Sequence, residues 1–504
     1  MSCTTTTTAT TAAACCSSSG NNHNVPSSTS NVLILSAILS KLPLQQLLTY
    51  NNPVMNELYQ TVWHAPKVVS RLASEIVSHL VLGQPKRPHW NIQQTVVMSF
   101  LQVLRDHSLA NSLEFWRLLL IAPTWLTPLT SKTQDGSFRV RRRSLCGILS
   151  DLDAQEQGHR IMSVEWMSAG SIWDRCQSVI NPSYDGRKED NDENSVEDNT
   201  AATMNNNSGA LVLRTRSPEK IVLYLHGGAY CAMSAQTHRT LTHKISKATG
   251  RRVFAVNYRL APETKFPGAL YDAVQAYLYL IDADYGYGLE PKNILIMGDS
   301  AGGGLALATM LYLRDYALPQ LEGAVLLSPW VDLSFSYPSW DNASIYDYLP
   351  NNPDRLEAMN PAHLYLGREE AATMVRHPYV SPIFAESFEG LPPLLIQSGG
   401  CESLRDEIND LVSKIGATKT TLVHHEEYED MVHVFQAFPF GKSSEAIESI
   451  GWWAKFGMPM IAQWQARGQL PGMVQEYRQK DNDGPFSLKS TPRSRGRRFH
   501  SIPN

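Results

Sequence analysis

Short apolar runs punctuate the second half of the chain at Ile221 to Leu225, Val253 to Val256, Ile294 to Met297, Ala324 to Leu327, Leu394 to Gln397 and Leu422 to His425. Runs that are continuous instead of alternating are what strands covered on both faces look like. Between them, residues 239–249, 268–282, 302–315, 403–416 and 443–465 carry apolar positions at helical spacing. This alternation predicts an α/β fold, a mostly parallel central sheet flanked by helices. Residues 331–380 break it with Pro, Asn and aromatic side chains, and read as an insertion above the sheet.

Upstream, the apolar positions from Trp90 to Ile121 recur at helical spacing, so residues 32–180 are expected to form an N-terminal helical region. Residues 1–31, rich in Thr, Ala, Ser and Asn, lack a charged n-region and are expected to be disordered, not a secretory signal. Lys41, Pro43, Gln45 and Gln46 interrupt the apolar stretch from Val32 to Tyr50 before it reaches the length of a bilayer span. Its Leu35, Ile38, Leu39 and Leu42 stripe suits packing on the domain or, alternatively, peripheral contact with a membrane or lipid droplet. Residues 181–209 form an acidic, Asn-rich linker. A catalytic domain is expected over 210–470, and residues 471–504 form a basic tail containing Arg493, Arg495, Arg497 and Arg498.

Charge narrows the partners. With 44 Lys plus Arg against 48 Asp plus Glu in 504 residues, the chain lacks the concentrated positive charge that phosphate backbones require, so no nucleic-acid partner is expected. Its seven cysteines have no CxxC pair and no alternating Cys/His spacing, which argues against a disulfide scaffold and a zinc site. The absence of a signal and of a clear span points to the cytoplasm, with peripheral contact at the endoplasmic reticulum or lipid droplets through residues 32–50 as the alternative.

The chemistry lies at strand ends. Gly298-Asp299-Ser300-Ala301-Gly302 spells GxSxG, a pattern that chance alone supplies in roughly one chain in six of this length, so context must decide. Here a strand precedes it and a helix follows, the surroundings of a nucleophile elbow that lifts a serine hydroxyl above the sheet. His226-Gly227-Gly228-Ala229-Tyr230 follows the first of the six strand-like runs. Small residues there let backbone N–H groups approach a developing oxyanion, and Gly227, Gly228, Ala229 and Ala301 are assigned as donors.

Serine needs an adjacent base. His424 and His425 fall within the last strand, whereas His433 lies in the loop beyond it and can reach the sheet's carboxyl edge. The base needs an acid in turn. Glu402 follows the strand Leu394 to Gln397 and is preferred, with Asp406, one helical turn further on, as its rival.

HGGAY at 226, NYRLAPE at 257, GDSAGG at 298, ESLRDE at 402 and DMVHVF at 430 together resemble the hormone-sensitive-lipase group of α/β-hydrolases, which includes arylacetamide deacetylase and fungal steryl acetyl hydrolases. The resemblance covers about residues 210–465 and departs from the group's pattern at Ala229, where glycine is common, and at Glu402, where aspartate is usual. It implies an α/β-hydrolase fold with a helical cap, built here from roughly 90–180 and 331–380, so Trp90, Phe115, Trp116 and Trp340 are candidate wall residues with core filling as their ordinary role. It also implies a serine carboxylic-ester hydrolase for small apolar substrates: short- or medium-acyl esters, acetylated sterols or lipid esters. No metal or organic cofactor is required. The competing reading is a ligand-binding receptor that keeps a hydrolase pocket without turnover; a peptidase is a third.

Overall fold

The computed structural model describes residues 57, 65–108, 112–126, 132–170, 172, 219–350, 359–418 and 420–459. The segments 1–31, 32–50 and 181–209 and the tail after 471 lie outside the described residues.

Among the described residues the first helices are α1 (Ala65–Leu80), α2 (Ile92–Ser108) and α3 (Leu113–Leu126). Then come β1 (Lys132–Arg139), the short α4 (Ser150–Gln155) and β2 (Ile161–Ser168). Next among the described residues are β3 (Ile221–Leu225), α5 (Arg239–Thr249), β4 (Arg252–Val256), α6 (Gly268–Ile281), β5 (Ile294–Asp299), α7 (Ala301–Asp315) and β6 (Gly323–Leu327). The insertion holds the short helices α8 (Ser339–Asn342), α9 (Pro361–Leu366) and α10 (Arg368–Met374). The chain then closes with β7 (Leu394–Gly399), α11 (Arg405–Gly416), β8 (Val423–Tyr428) and α12 (Gly441–Trp452), which runs on as a π-helical turn over Trp453–Gly457.

Among the described residues the strands form one eight-stranded sheet in the order β1-β2-β4-β3-β5-β6-β7-β8. From β4 to β8 every pair is parallel, while β1 and β2 pair antiparallel and β2 joins β4 antiparallel. Ile221, Leu223 and Leu225 of β3 enter one apolar layer with α6, α7 and α11. Val222 and Tyr224 enter the opposite layer with α5 and α12. Both faces are covered, so both sets of alternate positions must be apolar.

The expectation of a helical region through residue 180 needs correction, because 132–168 contributes two strands. β1 reads Lys-Thr-Gln-Asp-Gly-Ser-Phe-Arg, an edge strand with only Phe138 buried and hence no apolar run to detect. β2 did carry a signal: Met162, Val164 and Trp166 alternate and are buried. Among the described residues no helix is long and apolar enough to cross a membrane. A third apolar cluster joins Trp90 and Met98, before and within α2, to Met431, Val432 and Phe435, so α2 packs on the loop after β8.

Candidate active site

Ser300 occupies the one-residue turn between β5 and α7 in a left-handed conformation, φ 52° and ψ −123°. Its N–H donates to the Leu327 carbonyl at 2.9 Å, and its own carbonyl accepts from Trp330 N–H at 2.9 Å. Such strain persists only where the surroundings over-determine the backbone. The flanking glycines are required by space: a Cβ on Gly298 would fall 2.3 Å from the Gly302 carbonyl oxygen, and one on Gly302 would fall 2.1 Å from the Leu225 oxygen.

The loop after β3 folds over this elbow with Gly228, Ala229 and Tyr230 all at positive φ. Gly227 is corrected as an oxyanion donor: its N–H is already given to Asp299 Oδ1 at 3.1 Å. Among the described residues Gly228 and Ala229 N–H have no protein acceptor. Ala301 opens α7, so its N–H has no intrahelical partner. Three donors remain.

Asp299, adjacent to the serine, anchors that loop from below. Its carboxylate also accepts from Tyr224 Oη at 2.6 Å and meets His238 Nε2 at 3.2 Å. Burial works against its charge, yet the positive field and hydrogen bond of His238 prevail and hold its carboxyl below the ordinary range. His238 is raised correspondingly, Asp299 outweighing burial. His226, stacked on Tyr258, is pushed down to about 3 by burial and then by the charge of His238.

His433 follows β8 and is 2% exposed. Its Nδ1 lies 3.9 Å from Glu402 Oε2, beyond hydrogen-bond length. Among the described residues neither that nitrogen nor Glu402 Oε1 has a partner. Catalytic hydrogen bonds in unliganded sites are commonly long and tighten with substrate. Burial drives both groups toward neutrality, lowering His433 to about 4 and raising Glu402 well above the carboxylate range. Glu402 is held at Oε2 by Ser328 Oγ at 2.6 Å and Gly399 N–H at 3.2 Å. Asp406 turns away into an ion pair with Arg405 at 2.8 Å. Of the two carboxylates, Glu402 is therefore the one that faces His433.

Consecutive residues at the end of β6 connect the parts: Leu327 accepts from Ser300 N–H, and Ser328 Oγ accepts from Val434 N–H at 3.0 Å. Sequence reasoning missed Ser328, Asp299 and His238 as supports. The one available signal for Ser328 was its place at a strand's carboxyl end, the edge where the serine sits.

The aromatic residues expected in the wall prove to be anchors or filling. Trp90 Nε1 donates to the Asp430 carbonyl at 2.7 Å, and Trp340 Nε1 to Glu407 Oε2 at 3.2 Å. Phe115 is buried, with Trp116 half-buried beside it. His89, Glu429 and Asp430 lie close enough to suggest a metal cluster, but Arg87 and His89 already occupy the two oxygens of Asp430 at 2.6 Å each. The Arg87–Asp430 ion pair and the His89 hydrogen bond together hold the loop that leads to His433.

A family model described as α/β hydrolase fold matches residues 222–437. An acetyl-hydrolase of Streptomyces hygroscopicus is 40% identical over 220 residues, covering 44% of this chain and 69% of the relative. An esterase of Acinetobacter venetianus is 32% identical, covering 46% and 74%. Among solved structures, an esterase from the bacterial hormone-sensitive lipase family superposes with TM-score 0.52 and 27% identity, covering 73% of this chain and 98% of that one.

Proposed function

The chain belongs to the α/β-hydrolase family, in its hormone-sensitive-lipase-like group, and is a carboxylic-ester hydrolase; from that premise we propose that Ser300, His433 and Glu402 are its catalytic triad and that small acyl esters are its substrates. The observation that carries this reading is the strained Ser300 elbow beside two backbone N–H groups without protein acceptors.

In this mechanism Ser300 Oγ attacks the ester carbonyl while His433 takes its proton. The carbonyl oxygen gains negative charge as it becomes tetrahedral, and the N–H groups of Gly228, Ala229 and Ala301 receive it without reorganising. Glu402 draws toward the imidazolium as it forms, closing the long contact. His433 then protonates the leaving alcohol, and water releases the acyl group by the same route reversed. A small acyl group is favoured because relatives of this chain include proteins named acetyl-hydrolase and ethyl acetate hydrolase.

The test is hydrolysis of p-nitrophenyl acetate through octanoate by the native chain and by Ser300→Ala. The expected result is loss of turnover in the variant with the native chain fastest on the shorter esters; equal rates in the two proteins overturn the nucleophile. Covalent labelling by a fluorophosphonate, absent in the variant, separates an activated serine from a pocket that merely binds.

A further inference from the structure

Asp347 lies in the insertion between β6 and β7 and belongs to none of the motifs. Its side chain is completely buried, and no cationic side chain is among its hydrogen-bond partners. Oδ1 accepts from Tyr348 N–H at 2.8 Å and from His433 N–H at 3.3 Å, while Oδ2 accepts from Ser403 N–H at 2.8 Å. A buried carboxylate without a counter-ion is costly. Loop closure alone could be served by a neutral side chain, yet this one grips the main chain of the base and of the residue after the acid.

On its other side Asp347 is gripped by the N-terminal region. Its carbonyl accepts from Gln102 Nε2 at 3.3 Å and Arg105 Nη1 at 3.1 Å, both on α2. The same two side chains also hold the carbonyls of Ser344, Ile345, Tyr346 and Leu349.

We propose that Asp347 is a positioning residue that sets the separation of His433 and Glu402, and that α2 controls the triad through it. The inference rests on the triad assigned above. Burial lifts the Asp347 carboxyl to about 6 against the lowering effect of its N–H donors, as expected of a carboxyl with no cationic side chain bonded to it. Asp347 touches no reacting atom; it acts through the two loops it ties together.

The experiment compares Asp347→Asn with the native chain by steady-state hydrolysis of p-nitrophenyl butyrate, with sites counted by fluorophosphonate titration and folding followed by circular dichroism. In the variant an amide N–H₂ must face one of the N–H donors, so at least one tie is lost. The expected result is a kcat per titrated site lower by about 10- to 100-fold, the cost of a misplaced catalytic group, with KM within about twofold. A kcat per site within twofold of native, whatever the melting temperature, overturns the proposal and leaves the triad standing. Should Asp347→Asn fail to fold, Gln102→Leu is measured instead: a smaller loss confined to kcat is expected, and an unchanged kcat overturns the coupling. Lack of ester hydrolysis by the native chain would be failure of the triad reading, a distinct outcome.

Discussion

Removing one hydroxyl, Ser328→Ala, tests the support of the acid. Ser328 is fully buried at the end of β6. Its one proton goes to Glu402 Oε2 at 2.6 Å and its lone pair receives Val434 N–H at 3.0 Å. The substitution therefore deletes one bond to a carboxyl group, about 1.5–3 kcal/mol if that group is charged, and strands a buried N–H, about 1–3 kcal/mol. Partial relaxation and shared atoms make the two losses less than additive, so the expected destabilisation is about 3 kcal/mol. Catalysis suffers separately. Glu402 keeps only Gly399 N–H at 3.2 Å on that oxygen, and loss of the stronger donor raises its carboxyl further. If the transition state loses the roughly 1.5–3 kcal/mol of the bond, kcat/KM falls about 10- to 150-fold. Urea titration and p-nitrophenyl butyrate hydrolysis measure the two effects. Ser328→Gly is the control: the residue sits at φ 45°, where glycine escapes a left-handed penalty of about 1–2 kcal/mol, so it should recover stability without recovering kcat/KM. Destabilisation below about 0.5 kcal/mol with kcat/KM within twofold would show that the hydroxyl does not hold the acid.

Two further outcomes follow from the electrostatics. His433 acts as a base only when neutral, and burial lowers it to about 4, while burial holds the proton on Glu402 well above the ordinary carboxylate range; in Glu402→Gln, where that carboxyl no longer titrates, the residual kcat/KM should therefore persist as pH drops through the usual histidine range near 6.5 and fall only on approach to 4, whereas an acid limb at 6.5 or above in that variant's pH–rate profile would contradict the buried imidazole. Asp299→Asn places an N–H₂ among Tyr224 Oη, Gly227 N–H and His238 Nε2, which the carboxylate now holds at 2.6, 3.1 and 3.2 Å; loosening of the Gly228–Ala229 loop should reduce kcat by about 10- to 100-fold, and an unchanged kcat in stopped-flow assays would mean that the carboxylate does not brace the donors.

The parallel half of the sheet was legible because its strands are covered on both faces, which forces apolar side chains onto consecutive positions that can be seen in one dimension. β3 is read at its observed bounds, Ile221–Leu225, for this reason. The elbow at Ser300 was legible because its turn needs glycines two residues to either side. β1 left no trace: an edge strand made of Lys132, Thr133, Gln134 and Asp135 gains its place from pairing with β2, a partner tens of residues away.

For the candidate site, residue types at strand ends were enough to nominate Ser300, His433 and Glu402 and to suggest a donor loop, since local order alone dictates which side chains leave a strand at its carboxyl edge. Folding alone decided which N–H of that loop is spent on Asp299, that Asp406 turns to Arg405, and that Ser328 and Asp347 brace the acid and the base. Apart from the Arg405–Asp406 pair, whose partners are neighbours and whose direction is set by the packing of α11, those roles depend on direction and distance between segments that the chain separates by dozens of residues, and hydrogen bonds of about 3 Å have no counterpart in a linear pattern.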